Sequence, residues 1–186
     1  RGLQQSAIDL DAQLADGTRW ALLHDLHLRW QGQSLWIDHL LINRQLDIVL
    51  LASPHYGDDL SVDADGGFYY THGARATSFA SPLARLRRQL TLLRQSAADL
   101  PWPYRQGARL TPCWFFAVLA APLADIQAPA AFAESLIRPA ELNDWLALHT
   151  RHPERSTLDT LAHSISVDTL RGFAAQWAQL HQGAAA

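Results

Sequence analysis

Asp38 is a carboxylate in apolar surroundings, where such a group is seldom left unpaired. It sits inside Trp36-Ile37-Asp38-His39-Leu40-Leu41-Ile42, an apolar run of strand character, and a second such run, Leu46 to Ala52, follows a short polar break. Two adjacent strands that each bring a carboxylate to a common end can hold a hydrated Mg²⁺. A nearby Lys can then orient or deprotonate water and offset charge on a phosphate. That is the chemistry of metal-dependent phosphodiester hydrolysis. Here the second strand ends Ala52-Ser53-Pro54. Ala offers no ligand oxygen, and Pro offers neither a cation nor a backbone N–H. No Lys can move in from elsewhere, because all 15 basic residues are Arg, whose pKa excludes it as a general base.

Other side chains could enter such a site. Asp47 falls five residues before Ala52, on the opposite side of a regular strand, and Asp58 and Asp59 read as a solvated turn. His24, His27 and His39 raise the idea of zinc held between adjacent strands. His24 and His27, however, differ by an odd number and leave opposite faces of one strand, so satisfied sheet histidines are the alternative. Arg85, Arg87, Arg88 and Arg94 share one expected helix, Arg85 with Arg88 on one face and Arg87 with Arg94 on another. They could grip a phosphate backbone or form an ordinary solvated face. Asp38 itself reads either as a remnant metal ligand or as a hydrogen-bonded relic. Of the seven Trp residues, Trp36 is placed to flank the site.

The elements that must position these residues follow from pattern. Leu3, Ala7, Leu10 and Leu14 recur at helical spacing, giving a first helix over about residues 3–15. Trp20 to Trp30 reads as a strand, Gln31-Gly32-Gln33 as a tight turn and Ser34 to Ile42 as the antiparallel partner. After the turn Asn43-Arg44-Gln45 comes a third strand, Leu46 to Ala52, whose run Ile48-Val49-Leu50-Leu51 lacks alternation, as expected of a strand covered on both faces. Asp58 to Gly67 reads as a polar hairpin or loop leading to Phe68-Tyr69-Tyr70. Ser81-Pro82 opens a helix running to about Ala98, with Ser as N-cap and Pro at the first position. Leu100 to Thr111 is a connector, Cys113 to Leu119 an apolar strand, and Leu136-Ile137 a short strand before a helix near Pro139. A last helix after Ser166 aligns Val167, Leu170, Phe173, Ala174, Trp177 and Leu180 on one stripe.

With 186 residues and 48% hydrophobic content the chain can bury a sizeable core. The net charge of −3 conceals a division along the chain. Residues 75–109 carry seven Arg against Asp99 alone, a basic island whose field can attract phosphate although the whole is slightly acidic. The single cysteine, Cys113, permits no internal disulfide and suggests a reducing, cytoplasmic setting. The apolar run Trp114 to Ala124 is too short to span a bilayer. Arg without Lys, with abundant Ala, suggests a GC-rich bacterial coding sequence. A start at Arg1 without any Met suggests a piece of a longer protein with other domains.

Together these motifs resemble the NERD (nuclease-related) domain, a branch of the PD-(D/E)XK restriction-endonuclease-like superfamily. The resemblance starts near Arg1-Gly2 and runs through Trp20 to Leu28, the Ile37-Asp38-His39 stretch and the His55-Tyr56-Gly57 turn. It recurs in Ser81-Pro82-Leu83-Ala84 with Arg87-Arg88, then thins out to about Leu146. It implies an α/β fold with a restriction-endonuclease-like mixed central sheet flanked by helices. A NERD-like domain would occupy residues 1–146 and a C-terminal helical extension residues 147–186. It also implies a degenerate site. The family's first-helix Glu aligns with Leu3, its strand Glu with Ala52, its strand Lys with Pro54 and its helix-start Gln with Arg85, which leaves Asp38 as the remnant. A one-residue slip would put Leu51 and Ser53 there instead, restoring neither carboxylate nor amine. The expected role is that of a catalytically inactive module, without a metal cofactor, that binds DNA or another nucleic acid through Arg85, Arg87, Arg88 and Arg94. The alternatives are a Mg²⁺- or Mn²⁺-dependent endonuclease using Asp38 with a relocated acid, and a protein-interaction module with a Trp-rich surface.

Overall fold

The structure is a computed structural model that describes residues 2–15, 17–105, 108–150 and 157–181; the side chains of Asp99, Arg105, Ala108, Arg109, Thr157 and Asp159 lie outside that description. Helix α1 (Gly2–Gln13) precedes strands β1 (Trp20–Trp30) and β2 (Gln33–Asn43). The turn between them is Gln31 and Gly32 alone, both at positive φ, 47° and 77°. Two consecutive positive-φ residues give the hairpin turn whose twist matches that of its strands. The turn is one residue shorter than the expected Gln31-Gly32-Gln33, and this sets the register: His24 faces His39, Leu26 faces Ile37 and His27 faces Trp36.

The next turn is held by Asn43, whose Oδ1 accepts the N–H groups of Gln45 (2.9 Å) and Asp47 (2.8 Å). Strand β3 (Asp47–Ala52) follows and is buried along its whole length, as its unbroken apolar run predicts. Of the two readings of 58–67, the hairpin holds. Strand β4 (Asp59–Val62) forms there, with Leu60 and Val62 buried and Asp59 out. Two inward apolar residues among the aspartates of that stretch give too weak an alternation to read from sequence. Strands β5 (Phe68–His72) and β6 (Arg75–Phe79) complete that hairpin. Helix α2 (Pro82–Ser96) begins as predicted, with Ser81 Oγ accepting from the Ala84 N–H at 3.3 Å, and tightens into a 3₁₀ turn at Ala97–Asp99.

Beyond it the connector contains two short strands, β7 (Tyr104–Arg105) and β8 (Ala108–Arg109). Next come β9 (Cys113–Leu119), β10 (Ile126–Gln127), α3 (Ala130–Ala133) and β11 (Leu136–Ile137). The chain closes with α4 (Leu142–His149), α5 (Thr157–Ala162) and α6 (Val167–Gln179).

The central sheet has the order β1-β2-β3-β9-β11. The first three strands are antiparallel, while β3, β9 and β11 run parallel. A second mixed sheet has the order β10-β4-β5-β6. Leu10 of α1 and Leu14 just after it join Leu142, Trp145 and Leu146 of α4 on one face of the central sheet. Leu83, Leu86 and Leu93 of α2, together with Ile165, Leu170, Phe173 and Trp177, cover the other. The terminal segment is latched as well as packed. The Ile165 N–H donates to the Arg44 carbonyl at 2.8 Å, and Arg44 Nε returns a bond to the Ile165 carbonyl at 2.7 Å. The expected boundary at residue 146 falls inside α4, and α6 shares the main core. Among the described residues no helix is long and apolar enough to cross a membrane.

Candidate functional site

The β2–β3 register pairs His39 with Leu51, so it carries Asp38 opposite Ala52, at the end of β3 beside the start of α2. Asp38 Oδ2 accepts two hydrogen bonds there, from the Ser53 N–H at 2.9 Å and from Arg85 Nη2 at 2.9 Å. The Asp38 side chain is 11% exposed and that of Arg85 45%, so the pair lies near the surface rather than in the deep core. Ala52 is buried in the α2-side core, and Pro54 follows the strand half-buried. Leu3 lies in the first turn of α1, which is seated beside the same strand end. Its carbonyl accepts from Ser6 Oγ (2.9 Å), and Ser6 Oγ lies 3.0 Å from Ser53 Oγ. A Cβ on Gly2 would come within 3.3 Å of the Tyr56 backbone oxygen, so the helix start approaches the 53–57 loop as closely as a glycine allows. Tyr56 OH donates to Asp9 Oδ2 at 2.6 Å, and its pKa is raised, chiefly by burial and then by that carboxylate.

The four positions expected to carry acid, base and water-orienting groups thus converge in space, but as Leu3, Ala52, Pro54 and Arg85. A carboxylate at 52 would lie across from Asp38. A guanidinium already sits on Asp38, where a divalent ion would need to compete for the same oxygens. Among the described residues no group of three or more His, Cys, Asp or Glu side chains is arranged to hold a metal ion. The donor set present does not fit one. The acids weighed as replacements are engaged elsewhere. Asp47 is buried and accepts from Asn43 Nδ2 at 2.8 Å. Asp58 meets His72 Nδ1 at 2.7 Å, and Asp59 Oδ1 accepts the Asp125 N–H at 2.8 Å. These two therefore tie β4 to its neighbours rather than ending in a solvated turn.

The histidines form a different arrangement. His24 and His39 approach within 2.8 Å through their Nδ1 atoms, and His24 Nε2 reaches Asp11 Oδ1 at 3.2 Å. His39 Nε2 lies 2.9 Å from Ser6 Oγ and 3.0 Å from Ser53 Oγ. His39 is fully buried, and its pKa falls to about 3, first because burial penalises the cation and then because His24 faces it. The chain Asp11, His24, His39, Ser53 has the residue types of a nucleophile relay. Ser6 and Ser53 are both buried, though, which closes their hydroxyls to substrate. It is an internal polar pin between α1, β1, β2 and the residue that follows β3. His27 is elsewhere, stacked on Trp36 with ring centroids 5.0 Å apart. The Trp36 carbonyl accepts from Gln89 Nε2 of α2, and Trp36 is 46% exposed. The pin is hidden from the sequence because a three-residue turn would place His24 opposite Leu40; a two-residue turn would have shown it.

The arginines of α2 divide by position. Arg85 is engaged with Asp38. Arg87 lies over the Phe116 ring, 5.8 Å from its centroid. Arg94 lines a cleft of about 340 Å³ with Trp102 and Trp114 near the far end of the helix. Arg87, Arg88 and Arg94 are all exposed, and none has an acidic partner among the described residues.

A family model described as nuclease-related domain, NERD, matches residues 2–120. Searches of the curated proteins and of the solved structures found no match. The matched span contains α1, the three antiparallel strands, the second hairpin, α2 and β9, which together hold every site position above.

Proposed function

We propose, from the premise that this chain belongs to the nuclease-related NERD family within the PD-(D/E)XK superfamily, that it is a catalytically silent nucleic-acid-binding module. The observation that carries this reading is the Asp38–Arg85 pair. The carboxylate that would bind a metal ion instead binds a guanidinium of its own chain, and its partner positions are apolar. Hydrolysis by the family's metal route needs a second ligand and a cation near the water, and Ala52 and Pro54 supply neither. Binding needs only an accessible line of positive charge. The stretch from Arg87 to Arg94 advances along α2 by roughly 10 Å at the helical rise, a distance over which successive phosphates can be met.

The test has two arms. Binding of a labelled duplex should weaken steeply between about 50 and 200 mM salt. The slope should fall by roughly 0.9 for each phosphate that Arg88→Gln or Arg94→Gln ceases to neutralise. Cleavage should be absent with Mg²⁺ and with Mn²⁺ for the unmodified chain and for Asp38→Ala. The triple change Ala52→Glu, Pro54→Lys and Arg85→Gln should be the form in which any activity returns. Cleavage by the unmodified chain that Asp38→Ala abolishes would overturn silence, and no binding at low salt would overturn the nucleic-acid role.

A further inference from the structure

At the opposite end of β3 from Asp38, a cavity of about 540 Å³ opens between the β2–β3 turn, the end of α1 and α4. Along β3 the two ends are roughly 17 Å apart at the usual strand rise. Two guanidinium groups line it, Arg19 and Arg44, and among the described residues no carboxylate does. Neither Arg has an ion-pair partner among the described residues. Arg44 is half-buried, and its Nε is fixed on the Ile165 carbonyl at 2.7 Å, which holds the guanidinium plane and leaves its terminal N–H groups for another acceptor. The one acid of the adjoining turn, Asp47, is buried and already accepts from Asn43. The side-chain amides of Gln13, Gln45 and Asn143 also line the cavity, and none has a hydrogen-bond partner among the described residues. Trp20 contributes the flat apolar wall.

A cavity of this size lies in the range that holds small ligands. Two uncompensated guanidinium groups, one of them preorganised, select an anion, and their planar forks match phosphate oxygens. Unpaired amides beside an indole suit a polar ring system, which they can hydrogen-bond at its edge while the indole covers its face. We propose that this pocket binds a small phosphorylated ligand of mononucleotide size, with its phosphate on Arg19 and Arg44. The site is separate from the Asp38–Arg85 pair and from the exposed arginines of α2, so it stands whether or not those bind nucleic acid.

Calorimetric titration of the full chain with AMP, inorganic phosphate and citrate tests this. AMP should bind with a Kd between about 10 μM and 1 mM, more tightly than phosphate alone. Arg19→Gln and Arg44→Gln should each weaken it by about tenfold or more, while Arg88→Gln and Arg94→Gln leave it unchanged. Arg44→Gln also loses the bond to Ile165, so thermal melting accompanies it; Arg19 is exposed, and its variant keeps the test valid if Arg44→Gln unfolds. Three results would each overturn the proposal: no AMP binding at about 5 mM, binding indifferent to both pocket variants, or citrate binding more tightly than AMP.

Discussion

Burial decides what each polar residue near β3 can do. His39 is closed to solvent and keeps its neutral form down to about pH 3, against about 6.5 in an unfolded chain. Between those values the unfolded chain takes up a proton that the folded chain refuses. The contribution of His39 to stability is therefore complete above about pH 6.5 and falls with pH below it, by up to about 1.4 kcal/mol per pH unit. Thermal melts from about pH 7 to about pH 4 should show a declining Tm, and His39→Asn, which cannot take the proton, should decline less steeply. An equal slope in the two proteins would remove His39 as the cause. Asp38 shows the same principle from the surface side. With Arg85 45% exposed, the ion pair itself is worth at most about 1 kcal/mol. Its consequence is for occupancy of the carboxylate and not for stability. Which residues were candidates was legible from their types; the pairing of Asp38 with Arg85 was not, because it joins residues 47 apart that only the packing of α2 on the sheet brings together.

Helix α2 is the element on which both the fold and the proposed function turn. Its apolar side, Leu83, Leu86 and Leu93, packs on the sheet, and Gln89 reaches the carbonyl of Trp36, so the helix is docked along β2 and β3. That docking carries Arg85 to Asp38 at one end and Arg94 to the Trp102–Trp114 cleft at the other. The helix start was legible because a Ser-Pro pair satisfies an orphan N–H and presets φ. Ser81→Ala should cost about 1 kcal/mol in denaturant unfolding with the fold retained. Because Arg85 lies one turn inside that end, the same variant should loosen the Asp38 pair and leave the affinity carried by Arg88 and Arg94 largely intact. A drop in nucleic-acid affinity as large as that of Arg94→Gln would show that the first turn, not the exposed arginines, carries binding. Strand β4 shows a case that local composition left open. The aspartates of residues 58–67 read equally as a hairpin or a loop, and pairing with β5 and β10 decides for the hairpin.

At the scale of the whole molecule, the family's span ends at residue 120 but the core does not. Leu170, Phe173 and Trp177 are 1%, 2% and 0% exposed against the same core that α2 covers. Exposing three such side chains forfeits roughly 5–8 kcal/mol, comparable with the whole stability of an ordinary domain. A chain ending at residue 163 should therefore lack a cooperative thermal transition. If it melts cooperatively with a Tm near that of the full chain, the terminal helix is an accessory and residues 147–186 form the separable extension expected from the sequence.

By itself the sequence determined the order and type of the main elements, since hydrophobic period, caps and turn residues act over a few residues at a time. It determined equally that the second strand ends in Ala52-Ser53-Pro54 and that no Lys is present, which are facts of composition. Tertiary structure alone decided which distant residues meet around that strand. The guanidinium of Arg85 on Asp38, the buried pin through His24 and His39, the cavity between Arg19 and Arg44, and the seating of α6 in the core all join residues far apart in the chain. Hydrogen-bond direction and burial fix such contacts, and these depend on strand register and helix docking, quantities that a single misplaced turn residue reverses and that no local pattern encodes.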